Sequence, residues 1–183
     1  VDLAIKVAGS QSTIALLSYP IYGDSQFALI LARFDNDKFD QPVCYQSISP
    51  FDDGNAYYWG HFDTLKVRPL KHGGYLIGAR ASGSDGDDLG TSEWFKIIVV
   101  KLTPTCEMTV LHDEFAERGG DAVQRKDGYD VEWCGEELDF RLVDDQTVEI
   151  RKVLPKSSKK VCDSAANLRE KITVKQIKLN LNR

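Results

Sequence analysis

The sequence has 183 residues, of which 42% are hydrophobic and 28% charged, and its formal net charge is −5. This length favours a single domain large enough to bury a real core, and the composition is that of an ordinary globular protein. No apolar run approaches the roughly 20 residues that a membrane-spanning helix needs. The acidic balance argues against a nucleic-acid-binding protein.

The charge is unevenly distributed along the chain. Residues 151–183 contain ten Lys or Arg and two acidic residues (net +8), whereas residues 1–150 contain 13 basic and 26 acidic residues (net −13). A basic segment of this kind binds an anion or an acidic partner, or is a solvated edge. We predict a single all-β domain over residues 1–183 with a basic C-terminal appendage over residues 154–183.

The four cysteines predict two disulfides and an oxidising compartment. They are widely spaced and form no C-x-x-C pair, which disfavours zinc-ribbon and thioredoxin-like sites. We favour the pairs Cys134–Cys162 and Cys44–Cys106, because the first would join the basic segment to the β body; four buried reduced thiols are the alternative. With Val1 at the start of the chain, we expect a periplasmic or secreted protein from which a signal peptide has been removed.

Apolar and polar residues alternate with a period of two, which predicts antiparallel strands with one buried and one solvated face. In chain order the alternating segments are residues 1–7, 64–68, 129–133, 138–142 and 147–151. Residues 27–32 and 94–100 are instead apolar on both faces, and they predict central strands that are covered on both sides.

Turn signals separate these strands, and one segment looks helical. The signals include His72-Gly73-Gly74, Pro104-Thr105, Gly119-Gly120, Asp127-Gly128 and Asp144-Asp145. A short helix is predicted over residues 163–171, and a phase change between Val174 and Ile177 then predicts a bulge. The predicted fold class is all-β: an antiparallel sandwich or propeller-like sheets with one short C-terminal helix.

Residues 82–93 join two predicted strands and are predicted to form a long acidic loop. A protruding recognition loop would use its carboxylates to meet basic groups on a partner, and its candidate partner-binding residues are Ser82, Ser84, Asp85, Asp87, Asp88 and Glu93. Calcium at Asp85 and Asp87 is an alternative, although Leu89 and Glu93 do not fit the EF-hand spacing. An Asp-box-like turn and a solvated loop without a partner are the others.

A second cluster of candidate residues lies in residues 51–63, where aromatic residues stand beside carboxylates. Tyr57 and Trp59 are candidate partner-binding residues that could stack on a sugar or a peptide, or fill the core together with Phe62. The three histidines, His61, His72 and His112, lack metal-ligand spacing. No nucleophile elbow or phosphate-binding loop is present in the sequence. We therefore assign no catalytic residue, no metal ligand and no cofactor.

The stretch from His72 to Cys134 carries a family resemblance. It contains Gly73-Gly74-Tyr75-Leu76, a Ser/Gly-containing segment, Thr105-Cys106, Val110-Leu111-His112 and Lys126-Asp127-Gly128-Tyr129. This order resembles the small periplasmic immunity proteins that neutralise peptidoglycan-cleaving amidases delivered by type VI secretion. The resemblance covers about a third of the chain. It implies propeller-like sheets, structural disulfides and a loop that plugs the active site of a toxin; by position, that loop is residues 82–93.

Two functions are therefore expected in order of preference. The first is a non-catalytic periplasmic protein that binds and inhibits a cell-wall hydrolase, an amidase or a lysozyme, through an acidic loop. The partner would be a basic protein, with no nucleic acid bound and no membrane insertion. The alternative is a secreted carbohydrate-active enzyme or glycan-binding domain that uses the aromatic residues near Trp59.

Overall fold

A computed structural model of the chain describes residues 3–8, 11–20, 27–36, 38, 42–48, 60–87, 90–126, 128–154 and 171–182. Every regular element in these residues is a β-strand, and every strand pair is antiparallel, which confirms the prediction of an antiparallel all-β protein. The predicted C-terminal helix is not seen: residues 163–170 lie outside the described ranges, and Lys171 begins a strand. Within the described ranges, no helix could cross a membrane.

In the described residues, twelve strands form three sheets, and each sheet is a meander of consecutive strands. The first sheet contains β1 (Leu3–Lys6), β2 (Ser12–Pro20), β3 (Phe27–Asp35) and β4 (Cys44–Ile48). The central sheet contains β5 (Gly60–Pro69), β6 (Tyr75–Asp87), β7 (Gly90–Leu102), β8 (Met108–Arg125) and β9 (Gly128–Gly135). The third sheet contains β10 (Glu137–Asp144), β11 (Thr147–Leu154) and β12 (Lys171–Lys178).

The central sheet is covered on both faces, because its middle strand β7 is apolar on both. One face of β7 packs in a cluster with Ile14, Leu16 and Leu31 of the first sheet. The other face packs in a second cluster with Leu138, Phe140, Val148 and Ile150 of the third sheet. Alternate residues of one strand thus enter two separate cores, which confirms the expectation from residues 94–100 that both faces are covered.

A disulfide joins the first sheet to the central sheet. Cys44 at the start of β4 is bonded to Cys106 in the β7–β8 turn, with the two Cα atoms 5.8 Å apart. The Gln46 side-chain amide donates to the Cys106 carbonyl beside it, at 3.0 Å. The predicted Cys44–Cys106 pair is confirmed and is compatible with an oxidising compartment. Cys134 is also disulfide-bonded, and its predicted partner Cys162 lies outside the described residues.

Three local predictions are wrong. Residues 82–93 are predicted as a loop, but β6 continues to Asp87 and β7 starts at Gly90. Gly119-Gly120 is predicted as a turn but lies inside β8, where strands on both sides bind its backbone. The predicted bulge in β12 is absent, because Ile172 and Val174 lie on the outer face of a regular ladder and are about half exposed. Part of the predicted basic appendage is thereby a strand of the third sheet.

The close approach of β6 to β10 generates a stability prediction. A Cβ at Gly78 would overlap the ring of Phe140, whereas a Cβ at Gly119, also in a strand of this sheet, would meet nothing within 4 Å. We expect Gly78→Ala to lower the free energy of unfolding by about 1–3 kcal/mol through overpacking, as measured by urea unfolding. Gly119→Ala is the matched control and should leave the midpoint nearly unchanged. Equal midpoints for the two variants would contradict this layer contact.

Candidate functional site

The acidic segment forms one arm of the central sheet. Within the described part of the chain, the pairing of β5 with β6 reaches Gly60–Gly83, and β6 and β7 are paired for four further positions, from Ser84–Glu93 to Asp87–Gly90. Backbone hydrogen bonds therefore hold this segment as an extended hairpin, here called the β6–β7 arm.

A second arm lies directly beside the first. Strand β8 pairs with β7 as far as Gly120 and then continues with β9 to the pair Arg125–Gly128. This β8–β9 arm reaches further than the β6–β7 arm, because β8 extends five residues past its last β7 partner. The end of the central sheet is thus built from two adjacent hairpins, which we call the arm end.

A group of charged residues holds the base of the two arms together. Arg118 on β8 donates from Nε and Nη2 to Glu93 Oε2 on β7, at 2.8 and 2.6 Å, and from Nη1 to Glu137 Oε2 at 3.2 Å. Glu137 Oε1 in turn accepts from Arg80 Nη1 on β6, at 3.2 Å. One carboxylate of the third sheet therefore bridges arginines on two strands of the central sheet.

A β-bulge brings a second carboxylate into this group. The β5–β6 register shifts between Phe62 and Thr64, so that Asp63 and Thr64 both lie opposite Arg80. Asp63 then accepts from Arg80 Nε at 2.7 Å and from Ser82 Oγ at 2.7 Å. Bulges commonly redirect a side chain in this way. These hydrogen bonds join β5 to β6 at the base of the β6–β7 arm.

Aromatic rings complete the group. The guanidinium carbon of Arg118 lies 4.6 Å from the centre of the Trp133 ring and 5.1 Å from that of Phe95, within the range of cation–π contacts. Gly135 allows β9 to close onto β8 here: it has φ of +121°, and a Cβ would lie 2.7 Å from the Arg118 Cα. Both the geometry and the aromatic contacts therefore fix the position of Arg118.

The electrostatics are those of a satisfied ion-pair network. Burial alone would lower the pKa of Arg80, but the hydrogen bond and charge of Asp63, together with the charge of Glu137, raise the pKa above its ordinary value. Ser82 donates directly to a carboxylate, and among the described residues its hydroxyl has no histidine base. The Ser82 hydroxyl therefore serves here as a hydrogen-bond donor that joins β6 to Asp63 of β5.

The predicted site residues fall into three groups. Ser82 and Glu93 are brought together in the network at the base of the β6–β7 arm. Ser84, Asp85 and Asp87 lie on the β6 strand of the arm. Asp88, Tyr57 and Trp59 lie outside the described residues. Phe62, from the same aromatic cluster as Trp59, is 2% exposed and belongs to the core.

The structure offers little to a metal ion in the ranges it describes. No group of three or more His, Cys, Asp or Glu side chains with metal-binding geometry is found there. The backbone at Asp85 and Asp87 pairs regularly with Ser92 and Gly90, which differs from the curled loop of an EF-hand. The backbone at Asp85 and Asp87 therefore does not adopt the conformation of an EF-hand calcium loop.

A second charged cluster lies between the central and third sheets. Glu114 on β8 contacts Lys152 Nζ at 2.8 Å and His112 Nε2 at 3.3 Å, and all three side chains are at most 30% exposed. Asp113, the residue between His112 and Glu114, lies on the opposite face and pairs with Lys96. The tripeptide at residues 112–114 is therefore split between two faces of a strand.

Sequence reasoning missed the residues that organise the network. Arg80, Arg118 and Glu137 are charged residues in alternating strands, and nothing in their spacing distinguishes them from solvated residues. Asp63 had one available signal, since the alternation of apolar residues breaks between Phe62 and Leu65. The network depends on the packing of β10 across the central sheet, which sequence periodicity does not specify.

The comparisons with known proteins give no assignment. No family model, no curated protein and no solved structure matches the chain. The resemblance to immunity proteins therefore stays a prediction, and function is argued below from the chain's own residues.

The pair Arg118–Glu93 generates a prediction about coupling. Both side chains are largely buried, at 14% and 28% exposed, so we expect a double-mutant cycle of Arg118→Met and Glu93→Gln to give a coupling energy of about 1–3 kcal/mol. Urea unfolding of the four proteins measures it. The control pair is Arg141–Glu149, in which Arg141 is 69% exposed, and its coupling should be below about 1 kcal/mol. Similar coupling in both pairs would contradict a special role for the network.

The Glu114 cluster generates a prediction about pH. Burial alone would raise the pKa of Glu114, but the hydrogen bond and charge of Lys152 and the hydrogen bond of His112 together lower it. A lowered folded-state pKa adds stability above the unfolded pKa of about 4.3, and this stability is lost as pH falls through the folded-state value.

We therefore expect the stability difference between the wild-type protein and Glu114→Gln to be largest near neutral pH and to shrink in acid. Urea unfolding over a series of pH values checks this. Lys152→Met removes the partner and should show the same pH window. A difference that stays constant down to about pH 3 would contradict the assignment.

Proposed function

We propose that this chain is a non-catalytic binding protein that inserts its arm end into the cleft of a cell-wall hydrolase and inhibits it. The observation that carries the proposal is the continued pairing of β6 and β7 past Gly83 as far as Asp87 and Gly90. An ordered hairpin loses less conformational entropy on binding than a flexible loop, so more of its contact energy remains as affinity.

The base of the arms supports this use. Arg118, Glu93 and Glu137 connect β8, β7 and β10, and Asp63 ties β5 to Arg80 and Ser82 on β6. These contacts join the arms to the layered body and would limit bending of the arms at their base. Such preorganisation is typical of inhibitors that bind a rigid enzyme cleft.

Charge indicates the type of partner. The sequence from residue 85 to residue 88 contains three aspartates, of which Asp85 and Asp87 lie on β6, and residues 1–150 carry a strongly negative net charge. A basic cleft would attract this surface over long range and accelerate association. The Cys44–Cys106 disulfide is compatible with the oxidising compartment in which cell-wall hydrolases act.

The choice of a hydrolase as partner rests on the resemblance between residues 72–134 and amidase immunity proteins. That resemblance predicted a plugging loop over residues 82–93, and the β6–β7 arm occupies this position. Amidases and lysozymes are therefore the first partners to test, and periplasmic location is part of the same proposal.

The test measures both inhibition and binding. The purified chain is mixed with a set of peptidoglycan amidases and lysozymes, and we expect at least one to be inhibited at micromolar concentration, in the usual affinity range of protein complexes. Asp85→Asn/Asp87→Asn should slow association by about tenfold at low salt, with a smaller effect at high salt.

The matched control is Glu107→Gln/Asp113→Asn, which removes two exposed carboxylates, one in the β7–β8 turn and one on β8 beside Lys96, and should leave association nearly unchanged. Unchanged activity of every hydrolase in the set would overturn the choice of partner. Inhibition that is equally affected by both double variants would overturn the role of the arm end.

A further inference from the structure

The other end of the central sheet contains a half-open cleft with a volume of about 870 Å³. It is formed by the β5–β6, β7–β8 and β10–β11 turns together with the segment after β12. Its charged side chains are Lys71, Lys101, Lys178, Asp144 and Asp145. The volume falls within the range of small-molecule sites. The basic C-terminal segment, which the proposed function does not use, thus contributes Lys178 to this cleft.

Two of the three lysines are held in place by neutral oxygen atoms. Lys101 Nζ donates to the Leu181 carbonyl at 2.6 Å, and Lys178 Nζ donates to Thr147 Oγ1 at 2.8 Å. An ammonium group has three N–H donors, so each retains donors for another acceptor. Within the described residues, no carboxylate forms an ion pair with either of them or with Lys71. The Gln146 backbone N–H and, to a smaller extent, the charge of Lys178 nevertheless lower the pKa of Asp144. Lys71 and Lys101 therefore carry the less compensated positive charges.

The two aspartates offset this charge only in part. Asp144 Oδ1 accepts from the Gln146 backbone N–H at 2.8 Å, so this carboxylate serves to close the β10–β11 turn. The charge of Asp144 offsets part of the charge of Lys178. With three ammonium groups against two carboxylates, the cleft has a net positive charge in a protein whose overall charge is negative.

We propose that this cleft binds a compact anion with two negative charges, of the phosphate or dicarboxylate class, through the ammonium groups of Lys71, Lys101 and Lys178. Charge-assisted hydrogen bonds from lysine to such oxygens are stronger than neutral ones. The anion supplies the charge that the Leu181 carbonyl and the Thr147 hydroxyl cannot.

The site is separate from the arm end. Strand β6 has 13 residues and runs from the β5–β6 turn to the arm end, a distance of about 40 Å at the usual rise per residue. Binding of an anion here does not depend on the proposed inhibition, and either proposal can fail without the other.

The experiment is a titration of the isotope-labelled protein, followed by amide NMR shifts, with inorganic phosphate and separately with succinate. Sodium chloride keeps the ionic strength constant and serves as the monovalent comparison. We expect saturable shifts at Lys71, Gly73, Gly74 and Gln146 with a dissociation constant at or below about 1 mM. Lys71→Met/Lys178→Met should weaken binding by about tenfold or more, as loss of charge-assisted hydrogen bonds requires.

The control variant Lys66→Met/Lys126→Met removes two exposed lysines elsewhere in the central sheet and should bind as the wild-type protein does. Lys71→Met alone repeats the test if the double variant does not fold. Saturation by phosphate alone or by succinate alone supports the site and identifies the anion class. Absence of saturation with both anions up to about 10 mM, or equal weakening in the control variant, would overturn the proposal.

Discussion

The structure depends on the burial of both faces of strand β7. Trp94, Ile98 and Val100 enter one core, and Phe95, Ile97 and Val99 enter the other. A strand of this kind is stable only when a layer of structure covers each face, since exposure of either set would leave large apolar surfaces in water. The first and third sheets supply these layers, and their position follows from this requirement.

The apolar layers end near Trp94 and Phe95, and a different interaction operates beyond them. At this level the central sheet passes from hydrophobic packing to the ion-pair network of Arg80, Arg118 and Glu137. The Arg118 guanidinium lies over the Phe95 and Trp133 rings and that of Arg80 lies over the Phe95 ring, so the network contacts the core through Phe95. Its carboxylates come from three strands, β5, β7 and β10, and the one on β5 lies at a bulge, so the network connects the central sheet to the third sheet. The two arms extend from this connector.

The two ends of the central sheet differ in chemistry although the same strands form both. At the arm end, hairpins with aspartates leave the body, and the ion pairs beneath them are internally satisfied. At the turn end, tight connections converge with the segment after β12, and lysines are bound only to neutral acceptors. The disulfide at Cys106 anchors the turn end to the first sheet. We therefore propose a basic macromolecule as the partner of one end and a small anion as the ligand of the other.

The sequence by itself determined the local character of this protein. Alternation with a period of two specifies strands and their inward faces, the doubly apolar residues 94–100 specify a central strand, and His72-Gly73-Gly74 specifies a turn, because each depends on neighbouring residues alone. Counting cysteines predicted two disulfides, and the Cys44–Cys106 pair was what remained once Cys134–Cys162 was favoured. Glycine pairs were a less reliable sign of turns. Gly119-Gly120 lies inside β8, because β7 on one side and β9 on the other pair with its backbone.

Only the tertiary structure decided which strands share a layer and which charged residues meet. Arg118, Glu137 and Asp63 are distant in sequence, and they form one network because β10 crosses the central sheet. The turn-end cleft likewise joins Lys71, Lys101 and Lys178 from separate elements. Periodicity determines the direction in which a side chain faces along its own strand, but the partner it meets depends on how sheets stack, which is a property of the whole chain.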